Sequence, residues 1–476
     1  MPDLLIAARH APAVERDRAD LVCDGKTDVA LLVKALDGTY DTVALTAGRF
    51  NASGGHAPDG SRRIRIAEGV TVRGVGPGLT RLVAQDEPCR VIADAPGATV
   101  ANLGGYGYVG IEVHADRFTA EDVYLTHSLD GSSYLDFGRK GGCTAAFMAW
   151  GREGRTLRDL TFRRCSVERS YHHGFSLNLA GASEGGGFAN ILYDQCHAIC
   201  AGSGLERWSC GFDIPDAGDI EGLMVRDCQA IDCFQDGFHL DGSWDGHRQR
   251  AENVLFERCR AQACGHRSGT GPAELYQSGF YVQSATLIEC HAERCRKAGF
   301  LCKNEEAGGL TLIDCSDAGS GYGLVIEYGG NGAKVKGFVS TGAGRRGLQM
   351  VGNDAEVEVE VRNFAGSGRP VLLGCTERLE FVDAPGHIAD LARYRARGYA
   401  MTGNRIAIAI DRPMEVVEVH PSSVHSVDMA GVTGEHSPPE VAPGFAASGT
   451  VAGSAAAPSP VLQKHFEIFI GSGPYL

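Results

Sequence analysis

The chain has 476 residues and a formal net charge of −14 at pH 7, which argues against a non-specific nucleic-acid binder, because such proteins need a basic surface. Its 43% of hydrophobic residues suffices for a continuous core, and no run of about 18 apolar residues predicts membrane insertion. Residues 1–20 lack the basic start, the apolar stretch and the cleavage site of a secretion signal. We therefore expect that the chain stays where it is made, that it leaves the cell by lysis, or that this is a mature form from which a signal has been removed.

Residues 1–60 are predicted to form an N-terminal cap and the first strands. The letters DGKTD at Asp24 to Asp28 precede a short amphipathic helix expected from Val29 to Leu36, a strand from Val43 to Leu45 and the step GRF at Gly48 to Phe50. This order resembles the pectate-lyase-like superfamily of right-handed parallel β-helices, and the letters ADLVCDG resemble β-helix proteins of phage tails and prokaryotic cell surfaces. The resemblance covers roughly residues 15–375. It implies the fold and not the activity, because this superfamily hosts many functions.

A repeated phrase then dominates the sequence. Alternating apolar runs end in cysteine at steps of 31, 32, 31, 31 and 25 residues. Each is followed by a second phrase that opens with Gly-Phe or Gly-Leu. Alternation with a period of two indicates strands, and a fixed longer period indicates a solenoid. We predict an all-β fold, a right-handed parallel β-helix over residues 61–382, whose repeats end at Cys165, Cys196, Cys228, Cys259, Cys290 and Cys315.

These cysteines are predicted to be reduced and buried. They take one equivalent place per repeat, and partners follow four or five residues later at Cys200, Cys233, Cys264 and Cys295. None has the C-x2-C spacing of a zinc site, and free cysteine is among the most buried residue types. A thiol-rich core fits a reducing cytoplasm, with disulfides or metal as the alternative.

The C-terminal part changes character. Residues 383–399 are predicted to form a helical linker, and residues 400–476 a small β module. Its strands would be RIAIAI, MEVVEV and KHFEIFIG, which alternate between segments rich in Pro, Ser and Ala.

The second phrases place two columns of side chains on the outside of the coils, because alternate residues of a strand point to opposite faces. The first column is Ser176, Asp213, His239, Tyr281, Leu301 and Val325. The second column is Asn178, Pro215, Asp241, Gln283, Lys303 and Glu327.

The middle of these columns is the candidate catalytic site. Strand geometry places Asp213 and Asp241 roughly 8 Å apart. That separation falls in the window of about 6.5–9.5 Å that an inverting glycosidase needs between its acid and its base. His239 lies between them and would orient or shuttle protons. The candidate substrate-binding residues are Trp208, Trp244, Tyr281, Lys303 and Glu327, of which the aromatic three offer flat faces for sugar rings.

Other interpretations of these residues stay open. Asp and Asn are common in β-helix turns, where they bond the local backbone. A lyase would need a basic residue near the acid, for which Lys303 with Arg207 or Arg250 is the nearby choice. Calcium bound by Asp213, Asp216 and Asp219 is possible on ligand type alone, but no EF-hand spacing supports it, so we predict no metal and no cofactor.

Two classes of function fit the sequence. The first is a phage tail fibre, spike or minor tail protein, expected to be a homotrimer that contacts other virion or surface proteins and presents its side or tip to a surface polysaccharide. It would be located in the virion tail after assembly in the host cytoplasm. The alternative is an extracellular polysaccharide-cleaving enzyme, an inverting hydrolase or less readily a lyase. The missing signal peptide favours the tail protein, and the acidic residues Asp213 and Asp241 favour the enzyme.

Overall fold

The computed structural model divides the chain into two compact units. One comprises Met1–Leu240, His247–Arg250 and His266–Ser268, and the other Asp241–Gly246, Ala251–Gly265 and Gly269–Leu476. The structure describes residues 3–135, 145–152, 154–180, 186–204, 209–216, 218–240, 243–244, 247–248, 251–267, 277–303, 309–327, 332–350, 352, 354–368, 370–373, 404–411, 417–419, 427–428 and 467–468.

Up to Leu240 the described residues form short helices and many strands. The helices are α1 Ala13–Arg16 and α2 Asp28–Ala35. The strands are β1 Asp3–Ala7, β2 Leu21–Val22, β3 Thr42–Leu45, β4 Gly48–Asn51, β5 Arg63–Ile66, β6 Thr71–Arg73, β7 Thr80–Ala93, β8 Thr99–Val113, β9 Thr119–Thr126, β10 Ala145–Arg152, β11 Thr156–Arg163, β12 Ser166–Glu168, β13 His173–Ala180, β14 Gly187–Asp194, β15 His197–Ile199, β16 Phe212–Asp216, β17 Asp219–Arg226, β18 Gln229–Ile231 and β19 Phe238–Leu240.

Beyond Leu240 the described elements are strands alone. They are β20 Ser243–Trp244, β21 His247–Arg248, β22 Ala251–Glu252, β23 Leu255–Glu257, β24 Arg260–Gln262, β25 Phe280–Gln283, β26 Thr286–Ile288, β27 His291–Glu293, β28 Ala298–Lys303, β29 Thr311–Ile313, β30 Ser316–Ala318, β31 Tyr322–Glu327, β32 Lys334–Thr341, β33 Arg346–Met350, β34 Glu356–Arg362, β35 Val371–Leu373, β36 Arg405–Ile410, β37 Val417–Val419, β38 Val427–Asp428 and β39 Glu467–Ile468. In none of the ranges that the structure describes is a helix long and apolar enough to cross a membrane.

The first unit is built from coils of three strands, each strand pairing in parallel with its equivalent in the next coil. Thus β11 pairs with β14 and β14 with β17. In the same way β12 pairs with β15 and β13 with β16. This pairing confirms the predicted parallel β-helix. The sequence had indicated two strands per repeat, and the third is the short strand that follows each cysteine, such as Ser166–Glu168.

The opening segment joins this stack at its first coil. Strand β1 pairs in parallel with β3, and β3 with β6. The carboxylate of Asp24 accepts the amide hydrogens of Lys26 and Thr27, and that of Asp28 accepts those of Gly25 and Asn51. The DGKTD turn is therefore tied to the strand that ends at Asn51. Helix α2 occupies the predicted place and buries Val29, Leu32 and Ala35, while its role as a cap stays a prediction.

The second unit repeats the same arrangement. Strand β26 pairs in parallel with β23 and with β29, and β28 pairs with β25 and with β31. Strand β36, the RIAIAI segment assigned to a C-terminal module, pairs in parallel with β34 in continuous register. This strand therefore extends the stack of coils. The predicted helical linker lies outside the described residues, as does most of the predicted module.

Stacked aromatic rings fill the core of the first unit. The rings of Phe147, Phe175, Phe212 and Phe238 follow one another at centroid distances of 5.0, 4.8 and 4.8 Å and lie nearly parallel. All four side chains are buried. Successive coils thus bury the same face of equivalent strands, which stabilises the stack through the hydrophobic effect and ring packing.

The cysteines are also core residues, as predicted. The fourteen in the described part of the chain are free, and all except the half-buried Cys200 are buried. The Cys165 thiol donates to the carbonyl of Ala120, and the Cys196 thiol to that of Phe162. Burial raises the pKa of the Cys89 thiol to about 12, so this thiol stays protonated.

The corners of the coils explain where the cysteines stand. The residue before each repeat cysteine has a left-handed backbone, for example Arg164 with φ 49° and Gln195 with φ 56°. A second left-handed residue follows four positions after the cysteine, at Arg169 with φ 53° and at Cys200 with φ 54°. The corner amide of Arg164 donates to the carbonyl of Asp194 in the next coil. Cys200 is thus a corner residue and not the equivalent of buried Cys233, a difference that the sequence spacing had concealed.

Candidate functional site

The predicted first column exists in the first unit. Ser176 lies opposite Asp213, and Asp213 lies opposite His239, one strand position beyond the stacked phenylalanines. The prediction that this column is presented on the outside was wrong about its exposure, because Asp213 is 2% exposed and His239 4% exposed. Both faces of these strands are covered, as is usual for parallel sheets. The column forms a buried polar layer instead of an open groove.

The second column is shifted by one residue. Asn178 lies opposite Asp216, where the sequence predicted Pro215, because the register between β13 and β16 breaks after Ser176. A β-bulge of this kind inserts one residue and cannot be read from the alternation of side chains. Asp241 lies outside the described residues, so its separation from Asp213 stays a prediction.

Asp213 has two polar contacts within the layer. Its Oδ2 accepts the hydroxyl of Ser176 at 3.1 Å and lies 3.3 Å from Nε2 of His173. The other ring nitrogen of His173, Nδ1, accepts the backbone N–H of Cys210 at 3.3 Å. Because Nδ1 accepts, the neutral ring carries its proton on Nε2, the atom that faces the carboxylate. The pKa of His173 is held well below its usual value by burial and by the nearby rings of His172 and His239, so the ring is neutral.

A second histidine–carboxylate pair lies on the next coil. Nδ1 of His239 is 2.8 Å from Oδ2 of Asp236, which is fully buried. A carboxylate only accepts, so Nδ1 of His239 is the donor. This contact fixes the orientation and the tautomer of the ring, as an acid does for a catalytic or metal-binding histidine. The sequence analysis assigned a role to His239 but none to Asp236.

Cys210 connects the two pairs. Its thiol lies within 4.8 Å of ligand atoms of His173 and Asp213 and, separately, within 4.8 Å of those of Asp236 and His239. Burial, and then the charges of Asp236 and Asp213, raise the pKa of this thiol well above its usual value. The sequence analysis missed Cys210 because it ends no repeat phrase. The group can transfer protons, hold a cation, or act as a hydrogen-bonded structural layer.

The remaining predicted site residues lie elsewhere or outside the described part. Tyr281 was expected to offer a sugar-stacking surface, but its side chain is 1% exposed. It packs in an apolar cluster with Ala298, Leu301, Tyr322 and Val325, so this prediction was wrong. The sequence alone could not show which face of a parallel strand is covered. Trp208 lies outside the described residues. The strands that contain Trp244, Lys303 and Glu327 are described, but the side chains of these three residues are not.

A different surface of the first unit carries half-buried aromatic and polar side chains. We call it the tyrosine face. It consists of one column, Tyr124, Ser166, His197 and Gln229, and a neighbouring column, Tyr106, Thr126, Glu168, Ile199 and Ile231. Thr126 is buried, and the other members are partly exposed.

The tyrosines of this face form a compact group. The rings of Tyr106 and Tyr124 lie 5.5 Å apart, and the Arg81 guanidinium lies 5.5 Å from the Tyr106 ring. The hydroxyl of Tyr124 donates to a carboxylate oxygen of Glu168 at 3.0 Å. Burial, followed by the charge of Glu168, raises the pKa of Tyr124, so the phenol is neutral. The sequence analysis missed this face because the coils that carry both tyrosines precede the first repeat cysteine.

Comparisons with known proteins found matches among solved structures alone. No protein-family model matches the chain. No curated protein matches it either. Among solved structures, the catalytic domain of a GH87 alpha-1,3-glucanase in complex with tetrasaccharides matches with 12% identity and a TM-score of 0.42, over 73% of this chain and 65% of that domain. The chain thus spans slightly less than two thirds of the glucanase domain.

Two further solved structures are similar to this chain. Pectate lyase Pel9A matches with 14% identity and a TM-score of 0.37, over 77% of each chain. Tailspike protein 3 of bacteriophage CBA120 matches with 12% identity and a TM-score of 0.43, over 89% of this chain and 62% of the tailspike. The predicted parallel β-helix is confirmed by the parallel strand register itself, in which β11, β14 and β17 pair in turn.

Proposed function

We propose that this chain is a recognition protein of the tail-fibre or tailspike kind that binds a surface polysaccharide through its tyrosine face. The observation that carries the proposal is the partly exposed pair Tyr106 and Tyr124 beside a register-aligned polar column. A tyrosine offers a flat apolar ring with a polar end, which suits ligands that are apolar on one side and hydroxylated on the other.

The spacing of the face suits a linear polymer. Ser166, His197 and Gln229 occupy the same position on three successive coils, so their side chains repeat at about 4.8 Å. Each offers a hydrogen-bonding group, and Ile199 and Ile231 supply apolar surface in the adjoining column. A chain of sugar rings laid across the coils would meet equivalent partners at each step. Assembly as a homotrimer in a virion tail, after synthesis in the host cytoplasm, belongs to the same proposal.

Polysaccharide cleavage is the second candidate function. It is favoured by the two histidine–carboxylate pairs around Asp213 and Asp236, since oriented pairs of this kind serve in general acid and base catalysis. It is opposed by the burial of Asp213, which would have to reach a glycosidic bond. Recognition therefore ranks first.

The decisive experiment is binding of the full chain to bacterial cell-surface and acidic plant polysaccharides, with products followed in parallel. We expect retention by at least one glycan, loss of at least about tenfold in affinity for Tyr124→Ala, and no change for the exposed control Glu221→Ala. Binding that survives both Tyr124→Ala and Tyr106→Ala overturns the proposed face. New reducing ends, or the ultraviolet absorbance of unsaturated uronates, would establish a hydrolase or a lyase respectively.

A further inference from the structure

We propose that Cys210, Asp236 and His239 bind a zinc ion within the first unit. The sequence analysis predicted no metal, because neither C-x2-C spacing nor EF-hand spacing is present. The fold nevertheless brings a thiol, a carboxylate and an imidazole together from two neighbouring coils, with one ligand atom of each within 4.8 Å of the others. The inference is independent of polysaccharide binding at the tyrosine face.

The three groups are placed as ligands of a compact site. All three side chains are more than nine-tenths buried. Tetrahedral zinc, with bonds of about 2.0–2.3 Å, holds its ligand atoms roughly 3.5 Å apart. The His239 and Asp236 atoms are 2.8 Å apart, so they would separate by about 0.7 Å while the thiol moves inward. Cys210 directly precedes the Gly211 amide, which donates to the carbonyl of Asp236 at 3.0 Å and holds the two coils in register.

The other histidine is less suited to binding the ion. Nδ1 of His173 accepts the Cys210 amide hydrogen, and this leaves the ring proton on Nε2, the atom that faces Asp213. A metal at Nε2 would move that proton to Nδ1, where it would oppose the amide hydrogen. Nδ1 of His239 has no such conflict, because its partner is a carboxylate and the ion replaces the shared proton. His173 and Asp213 are therefore assigned to the surroundings of the ion.

The site is balanced in charge. Binding breaks the S–H bond of Cys210, releases that proton to solvent and forms a zinc–sulfur bond, with no change in oxidation state. The ring proton of His239 moves from Nδ1 to Nε2. One thiolate and one carboxylate then neutralise the divalent ion, and the imidazole stays neutral. A buried carboxylate and thiol beside each other are costly unless paired or bound to metal.

The donor set selects the class of metal. Calcium and magnesium prefer an all-oxygen shell, whereas sulfur, nitrogen and oxygen together suit zinc and related transition metals. Three protein ligands leave a fourth position for water or another side chain. Since Cys210 precedes β16 and His239 lies on β19, the ion would join adjacent coils and stabilise the folded state.

The test uses the full chain, stripped with chelator and titrated with Zn²⁺ or with Co²⁺ as a spectroscopic probe. We expect one equivalent of zinc per chain, a higher melting temperature with zinc, and a thiolate-to-cobalt charge-transfer band in the near ultraviolet. Cys210→Ala should abolish the band and weaken zinc binding at least about 100-fold. The matched control Cys165→Ala removes a buried thiol of the same unit outside the cluster and should retain both.

Several results would overturn the inference. These are the absence of stoichiometric zinc binding to the folded protein, zinc bound without a cobalt–thiolate band, and binding unchanged in Cys210→Ala. If Cys210→Ala does not fold, His239→Gln takes its place, and it should weaken zinc binding while far-ultraviolet circular dichroism stays unchanged. A preference for calcium over zinc would also refute it, because calcium would not use the thiol.

Discussion

The outer layer of the coils differs between the two units. In the first unit the position next to the stacked core ring holds Ser176, Asp213 and His239. In the second unit the corresponding column holds Tyr281, Leu301 and Val325. Both columns are buried, the first through polar contacts and the second through apolar packing.

The difference shows that the repeat specifies the backbone and leaves the outer layer free to vary. An apolar layer gains stability from each buried methylene group. A polar layer gains little net stability, because burying its groups costs about as much as their bonds return. The polar layer of the first unit is therefore the better candidate for chemistry, and the apolar layer of the second for support.

Removing packing from the apolar layer should have the largest effect. Leu301→Ala is expected to lower the free energy of unfolding by about 2–5 kcal/mol, because a fully buried leucine leaves a cavity. Urea denaturation followed by circular dichroism measures it. The volume-conserving control Leu301→Met should lose less than about 1.5 kcal/mol. Equal losses for the two variants would show that packing does not hold this layer.

A buried carboxyl in the second unit, that of Asp317, tests how much an unpaired charge lowers stability in a packed coil. Asp317 is 1% exposed and lies between Ala292 and Ser340 on adjacent coils. Burial raises its pKa from 3.8 to about 7, and bonds from Ser320 only partly offset this. Between about pH 4 and pH 7 the folded protein thus holds a proton that the unfolded chain has lost, so stability falls as pH rises and levels off above pH 7.

The matching substitution is Asp317→Asn, which keeps the shape and removes the charge. We expect a gain of up to about 4 kcal/mol at pH 8 and little gain at pH 4, from about three pKa units at about 1.4 kcal/mol each. Urea titrations at both pH values measure it, with the exposed corner variant Asp354→Asn as the control. A gain that is the same at both pH values would exclude a titrating Asp317.

A substitution in the polar layer should lower the free energy of unfolding less than Leu301→Ala does in the apolar layer. Asp213→Asn removes the negative charge from a group whose Oδ2 contacts both the Ser176 hydroxyl and the His173 ring, so both contacts weaken. The expected loss is about 1–3 kcal/mol in urea unfolding. Asp219→Asn, at an exposed position of the same unit, should change stability by less than about 0.5 kcal/mol. A loss as small for Asp213→Asn would mean that the layer contributes no stability.

The smallest effect is expected for Ser176→Ala. This variant removes one hydroxyl donor while the contact between His173 and Asp213 remains, so the loss should be about 1 kcal/mol. Thermal melting compares it with Ser166→Ala, which changes a partly exposed serine of the same unit. A loss greater than that of Leu301→Ala would reverse the comparison between the two layers.

The sequence predicted the fold well because the repeat is local. Alternation, the cysteine period and the Gly-Phe phrases identify strands directly, and the register Ser176–Asp213–His239 follows from aligning them. The bulge before Asp216 and the covered outer face do not follow, because both depend on contacts from outside the repeat. Asp236 and Cys210 were not singled out for the same reason. Their roles appear only when two coils are placed side by side.

The left-handed corners divide each coil into a part of constant length and a part that varies. From Asn190 to Gln195 to Cys200, and again from Asn253 to Arg258 to Ala263, the corners are five residues apart, while whole coils differ by up to seven residues. Inserting one residue between these corners would exchange inner and outer side chains of a strand. Insertions elsewhere in the coil leave that frame intact. During evolution such a chain can therefore change the length of its loops elsewhere in the coil, while the five-residue segments between the corners keep their length.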